Sequence, residues 1–185
     1  MEKIRCGWCE KDDLYRKYHD EEWGRPVYDD DTIFEFLILE SFQAGLSWYT
    51  ILSKRENFRK AFDHFDYKKI ALYTEEKIEE LMNDPGIIRN RLKINATVTN
   101  AQRFQEIQKE FGSFSKYIWG FVGGKPLDNR PKTLSDVPAV TEISDALSKD
   151  LKKRGFKFMG STVVYAHMQA TGMVNDHIES CFIRD

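Results

Sequence analysis

The chain has 185 residues, 41% of them hydrophobic and 31% charged, with a net charge of −2. That length suits one compact domain, or two helical lobes sharing a hinge, and it is enough to bury a substantial core. No apolar run approaches the roughly 18–20 residues of a bilayer span, and the opening MEKIRCGWCEKDD has no signal-peptide hydrophobic segment, so a cytoplasmic protein with no membrane partner is expected. The near-neutral total restricts any nucleic-acid-binding face to a local patch.

In chain order, DDDTIFEFLILESFQAG (29–45) predicts a helix, with Thr32 as cap and Glu35 completing a capping box. SWYTILSKRENFRKAFDHF (47–65) continues as a second, basic helix. TEEKIEELMND (74–84) begins on Thr74 and two acids, as a helix N-terminus does. Asp84-Pro85-Gly86 breaks it, and residues 87–111 run on as one long helix. The stretch 123–138, holding three of the five prolines, reads as a loop. SDALSKDLKKRG (144–155) is a helix capped by Ser144 and stopped at Gly155, and 160–172 is a last helix. There is no repeat and no low-complexity tract. The fold class is all-α.

Cys6, Cys9 and Cys181 are too few, and odd in number, for a disulfide framework, which leaves metal binding or inert thiols. His177 and Cys181, four apart, suit one face of a helix and look like half of a zinc site.

The 32–43 helix is apolar almost all round, hence buried. Glu35 is explained by the cap, but Glu40 falls on the stripe of Ile33, Phe36 and Leu37. A carboxylate there needs a partner, an exit to water, or a protonated role in a pocket, and spacing alone leaves these open. Trp8, Tyr15, Tyr18, Trp23 and Trp48 cluster around it in sequence, mixed with charges rather than in a clean core period. Such a group flanking an isolated acid suggests a site for a flat, polarisable ligand.

CGW, YHDEEWG, ESFQAGLSW, KREN, GIIRNRLKI and SDALSKDLKKRGFKFMGSTVVYAHMQATGMVNDH, in that order along nearly the whole chain, closely resemble the bacterial DNA-3-methyladenine glycosylase I family of the helix-hairpin-helix superfamily. The resemblance implies a helix-hairpin-helix glycosylase fold with the hairpin near 74–110, in a single domain over 1–185. It also implies one structural zinc ion tying the chain ends together through Cys6, His19, His177 and Cys181, with Cys9 a bystander. Four protein ligands leave no open position for substrate, so the metal would stabilise rather than react.

By the same resemblance Glu40 is the catalytic and base-reading acid. Tyr18 and Trp48 hold the base, and Trp8, Tyr15 and Trp23 form supporting walls. The implied partner is double-stranded DNA containing alkylated adenine, and the product is free 3-methyladenine, released by a monomeric, monofunctional enzyme of base excision repair. DNA contacts are expected from Gly45 and the wedge Leu46, and from the hairpin residues Gly86, Ile87, Arg89, Arg91 and Lys93. Ile88 stands where commoner hairpins carry a second glycine. A second basic run, Lys149, Lys152, Lys153, Arg154 and Lys157, reads as a solvated face. Asp176 is expected to orient the adjacent His177 rather than to catalyse. A non-catalytic, metal-clasped helical module and a zinc hydrolase are the competing readings; the first leaves Glu40 and the tryptophans without a role, and the second lacks a free metal position.

Overall fold

A computed structural model of the protein describes residues 3–184. Ten α-helices dominate them: α1 (Asp13–Glu21), α2 (Asp30–Phe42), α3 (Trp48–Ser53), α4 (Arg55–Ala61), α5 (Tyr67–Ile70), α6 (Glu75–Met82), α7 (Arg91–Phe111), α8 (Phe114–Gly120), α9 (Glu142–Lys153) and α10 (Ser161–Ala170). Two short strands, β1 (Leu127–Asp128) and β2 (Val174–Asn175), pair in parallel and stitch the proline-rich loop to the C-terminal segment. None of the described helices is long and apolar enough to cross a membrane.

The core is built around α2. Ile33, Phe34, Phe36, Leu37, Ile38, Leu39 and Phe42 are all buried, because α3, α7, α8 and α10 surround the helix. An apolar surface on every side needs partners on every side. Against it, Phe34, Phe104 and Phe114 form an aromatic column with centroid spacings of 5.0 and 4.2 Å. Gly112, at φ 87°, ends α7 in the left-handed conformation that a residue with a Cβ avoids.

Several boundaries differ from those expected. The cap of α2 is Asp29, whose side chain accepts from the Thr32 amide at 2.8 Å, one turn before the predicted box. Glu35 is therefore free of capping and instead receives Arg55 and Arg59. Residues 47–65 form α3 and α4 with a break at Lys54, followed by Asp63, His64 and Phe65 in left-handed conformation, rather than one helix. The long helix α7 starts at Arg91 with Asn90 as its cap, so residues 87–90 belong to the connection after Pro85-Gly86. Helix α9 is capped by Thr141; Ser144 is the third residue of its capping box.

Candidate functional site

Two features share one end of the molecule. The first is a buried group of four metal-ligating side chains: Cys6, His19, His177 and Cys181 offer donor atoms that all lie within 4.8 Å of one another. Cys6 precedes a short 3-10 turn and His19 sits on α1. His177 and Cys181 follow β2 in a non-helical turn, so the helical face expected for them is not what joins them. Cys6 Sγ and Cys181 Sγ each lie 3.5 Å from His177 Nδ1, and Cys181 Sγ lies 3.6 Å from His19 Nε2.

The outward nitrogens are fixed. His19 Nδ1 donates to Asp20 at 2.8 Å, and Arg5 holds Asp20 in turn. His177 Nε2 donates to the Trp23 carbonyl at 3.0 Å. Burial lowers both imidazole pKa values, His177 to about 4, which keeps the rings neutral as ligation requires. Burial and the neighbouring Cys181 push the Cys6 thiol up to about 12 when no cation is near. The donor set suits a metal ion, and Cys9, buried, stands outside it. Gly24 (φ 78°) passes so close that a Cβ there would lie 2.9 Å from His177 Nε2.

Asp176 does not play the orienting part expected of it. Its oxygens take donors from Tyr165, Gln169 and Asn129 and none from the His177 ring; the carboxylate beside the cluster is Asp20.

The second feature is a cavity of about 410 Å³ lined by Trp8, Tyr15, Tyr18, Trp23, Glu40 and Trp48, together with Gln43, Leu134, Val137, Pro138, Ala166, Gln169 and Asp176. Tyr18 and Trp48 stand 5.6 Å apart, and Trp8 lies 4.9 Å from Tyr15 and 5.0 Å from Trp23. Trp8 and Trp23 also pack edge-on against His19 and His177, so the cavity wall leans on the ligand cluster. Three buried polar atoms of the lining residues find no protein partner among the described residues, namely Tyr18 Oη, Glu40 Oε2 and Trp48 Nε1. Groups of this kind are rare in a native interior unless something else completes them. Burial alone raises the Glu40 pKa to about 8. The Tyr18 hydroxyl is pushed well up by burial and then by Glu40.

A sequence model of the methyladenine glycosylase family matches residues 8–184. The chain belongs to that family. It is 50% identical over 177 residues to the DNA-3-methyladenine glycosylase 1 of Escherichia coli (strain K12), covering 96% of this chain and 95% of the relative. It is 49% identical to the DNA-3-methyladenine glycosylase of Haemophilus influenzae, covering 96% of both chains. Among solved structures, the 3-methyladenine DNA glycosylase I of Staphylococcus aureus, determined to show how it recognises 3-methyladenine, superposes with a TM-score of 0.95 at 41% identity, over 98% of this chain and 96% of that one.

The residues expected at the DNA side of this methyladenine glycosylase divide into two groups. Gly45 adopts φ 80° and carries the chain around the corner after α2, leaving Leu46 39% exposed. Arg89 is exposed and forms no ion pair among the described residues; Arg91 is exposed but paired with Glu79 and Glu75. Lys93 is buried, with its ammonium 2.9 Å from the carbonyls of Phe42 and Ala44, so its side chain is unavailable to a phosphate. The Gly86 amide is taken by Asp84 Oδ1 at 2.7 Å, whereas Ile87 buries its side chain in the core and its amide has no protein acceptor among the described residues. In the second basic run Arg154 pairs with Glu110 and Asp150, while Lys149, Lys152, Lys153 and Lys157 face solvent.

Half of the cavity lining was not foreseen. Leu134, Val137 and Pro138 come from the stretch read as a connecting loop. Ala166 and Gln169 are three apart on α10, a spacing that puts them on one face but cannot say which face is open.

Proposed function

We propose that the protein is a monofunctional DNA N-glycosylase, acting as one unit, that excises 3-methyladenine from alkylated double-stranded DNA as the first step of base excision repair. The observation that carries this reading is Glu40, a carboxyl 3% exposed with an unpartnered oxygen facing an aromatic cavity. A purine methylated at N3 and still joined to deoxyribose is a cation. Indole and phenol faces attract a cation more than a neutral base. Glu40, held protonated by burial, donates to N7 of the flipped base and accepts from its exocyclic amine, with Tyr18 and Trp48 on either side of the ring. As the glycosidic bond breaks, positive charge passes from base to sugar, the base leaves neutral, and water completes hydrolysis. The leaving group needs little assistance, and no lysine is among the residues lining the cavity; the reading carries no strand-cutting step.

Access to the cavity requires the base to leave the duplex, at a cost of a few kcal/mol. Leu46, exposed at the Gly45 corner, is the wedge that fills the gap. Arg89, beside the turn of the helical hairpin formed by α6 and α7, supplies a phosphate contact. We assign zinc to the four-ligand cluster. Tetrahedral zinc with sulfur at about 2.3 Å and nitrogen at about 2.0–2.1 Å requires sulfur and nitrogen about 3.6 Å apart; three of the four sulfur–nitrogen pairs here stand at 3.5, 3.5 and 3.6 Å, within a donor set that spans no more than 4.8 Å. Bound there, the ion supplies stability by joining the two ends of the chain.

The test is base release from methylated duplex DNA, followed chromatographically, for the wild type, Glu40→Gln and Glu40→Ala. Release by the wild type, binding of free 3-methyladenine retained by the Gln variant, and loss of both by the Ala variant are expected. Equal loss of free-base binding in the two variants would overturn the donor–acceptor role of Glu40, and no release by the wild type would overturn the function.

A further inference from the structure

Among the described residues, two carboxyl groups line the cavity, Glu40 and Asp176, and no lysine, arginine or histidine does. Their surroundings are opposite. Glu40 Oε2 meets no donor at all. Asp176 is 1% exposed, yet three donors converge on it: Tyr165 Oη at 2.5 Å and Gln169 Nε2 at 2.9 Å on one oxygen, and Asn129 Nδ2 at 2.8 Å on the other. A carboxylate only accepts, whereas a protonated acid must give up part of its accepting capacity to donate. Three converging donors therefore suit the charged form. None of the donors is cationic, so dipoles solvate the charge, and Asp176 forms no ion pair among the described residues. A buried charge without an ion-pair partner is uncommon, and here it faces a cavity sized for a ligand.

We propose that Asp176 is the counter-ion of the alkylated purine, a fixed anion in the cavity wall that selects a cationic base over a neutral one of the same shape. The inference rests on the glycosylase reading and divides recognition among three groups. The aromatic faces supply shape and a modest preference for cations. Uncharged Glu40 reads the edge of the base. Asp176 supplies the full opposite charge, which acts more strongly in a water-poor cavity than in solvent. Tyr165, Gln169 and Asn129 are positioning residues for that anion. Because the positive charge moves from base to sugar without leaving the cavity, the effect falls on affinity for the cationic ligand.

The network lets this be tested without wrecking the fold. In Asp176→Asn the new amide can donate to the Tyr165 hydroxyl, which accepts as readily as it donates, and Gln169 can turn its amide to present oxygen. A purely structural role thus predicts near-normal behaviour. The probes are 3,9-dimethyladeninium, a permanent cation with a methyl group in place of the sugar, and the neutral 3-deaza counterpart of the same shape. Affinities are measured by tryptophan fluorescence on metal-loaded protein, with metal content and Tm checked for each variant.

The wild type should bind the cation at least about tenfold more tightly than the neutral probe. Asp176→Asn should lose most of that preference while its affinity for the neutral probe changes less than about twofold. Asp176→Glu, which keeps the charge, should retain the preference. Absence of a preference in the wild type, its persistence in folded Asp176→Asn, or its loss in folded Asp176→Glu would each overturn the proposal. Base release from methylated DNA by the wild type separates the two readings: if release occurs and Asp176→Asn keeps the preference, the counter-ion role alone fails.

Discussion

Lys93 Nζ donates to the Phe42 carbonyl at 2.9 Å and, at the same distance, to that of Ala44. One ammonium from the first turn of α7 thus satisfies the end of α2, the helix that carries Glu40, just before the Gly45–Leu46 corner. Burial lowers the Lys93 pKa, yet the charge has two oxygens to compensate it. A positive group at a helix C-terminus also complements the helix dipole. The arrangement ties the start of α7 to the segment between Glu40 and Leu46, joining the hairpin connection to the cavity.

Lys93→Met keeps the stem and removes the donors. Charge-assisted hydrogen bonds contribute about 1.5–3 kcal/mol, so the variant should lose stability of that order by urea titration. Excision from duplex DNA should fall, because the Leu46 corner loses its anchor. The salt dependence of DNA binding should not change. A phosphate contact would reduce the slope by about 1, and that outcome would return Lys93 to the DNA surface.

Removing the metal should damage the cavity as well as the fold. Trp23 offers its carbonyl to His177 and packs its ring 4.7 Å away, and Trp8 packs 5.3 Å from His19. Treatment with a strong chelator should release one zinc per chain, lower the Tm and weaken binding of free 3-methyladenine; Cys181→Ser should behave in the same way. Elemental analysis together with a binding titration checks this. Unchanged base affinity in metal-free, folded protein would show that the walls stand without the clasp.

His167 is 2% exposed, and neither ring nitrogen has a protein partner. Burial lowers its pKa to about 3 from an ordinary value of 6.5. The unfolded chain therefore binds a proton that the folded chain refuses between those values. The associated stability is complete above pH 6.5 and declines as the pH falls toward 3, by about 1.4 kcal/mol per unit. His167→Leu removes this dependence. Between pH 7 and pH 5 the wild type should lose about 2 kcal/mol more than the variant, read from urea midpoints at the two pH values. Equal losses would place His167 in contact with water or a partner able to share its proton.

Much of the architecture can be read from local rules, and the exceptions have physical causes. Thr74 caps α6 and the broad apolar surface of α2 is buried, because both depend on near neighbours in the chain. Local rules do not single out the start of α2, because Asp29, Asp30, Asp31 and Thr32 all make competent caps, and Asp30 is drawn instead to the Phe114 and Ser115 amides of α8. Lys93 reads as a surface charge in a basic run, and only the end of another helix, about 50 residues away in sequence, makes burying it tolerable. For the cavity, the isolated acid and the clustered aromatics were visible as an anomaly. The wall contributed by Leu134, Val137 and Pro138 was not, since pairing of β1 with β2 sets where that loop lies. The Cys and His ligands span the whole chain, a separation that spacing within either half cannot link.

Glu40 links function to a cost in stability. Its pKa is raised to about 8 by burial, with no charge or hydrogen bond contributing. The unfolded carboxyl ionises near 4.5, so from there up to about 8 the folded chain holds a proton that the unfolded chain releases, and stability falls as the pH rises through that window. At pH 7 the penalty is about 3 kcal/mol. The apolar neighbours on α2 outweigh it, since burying each large side chain contributes about 1.5–3 kcal/mol. Glu40→Gln should therefore be more stable than the wild type at pH 7 by up to about 3 kcal/mol, with the difference disappearing toward pH 4.5. If the protonated carboxyl is the form that donates to the base, wild-type excision should decline through a single ionisation near pH 8, and any residual activity of the Gln variant should lack that limb. Denaturation at pH 5 and 7 and a rate profile across pH 6–9 measure both effects on the same protein. A Gln variant no more stable than the wild type would mean that Glu40 is solvated in the free protein, and its burial would then no longer account for its chemistry.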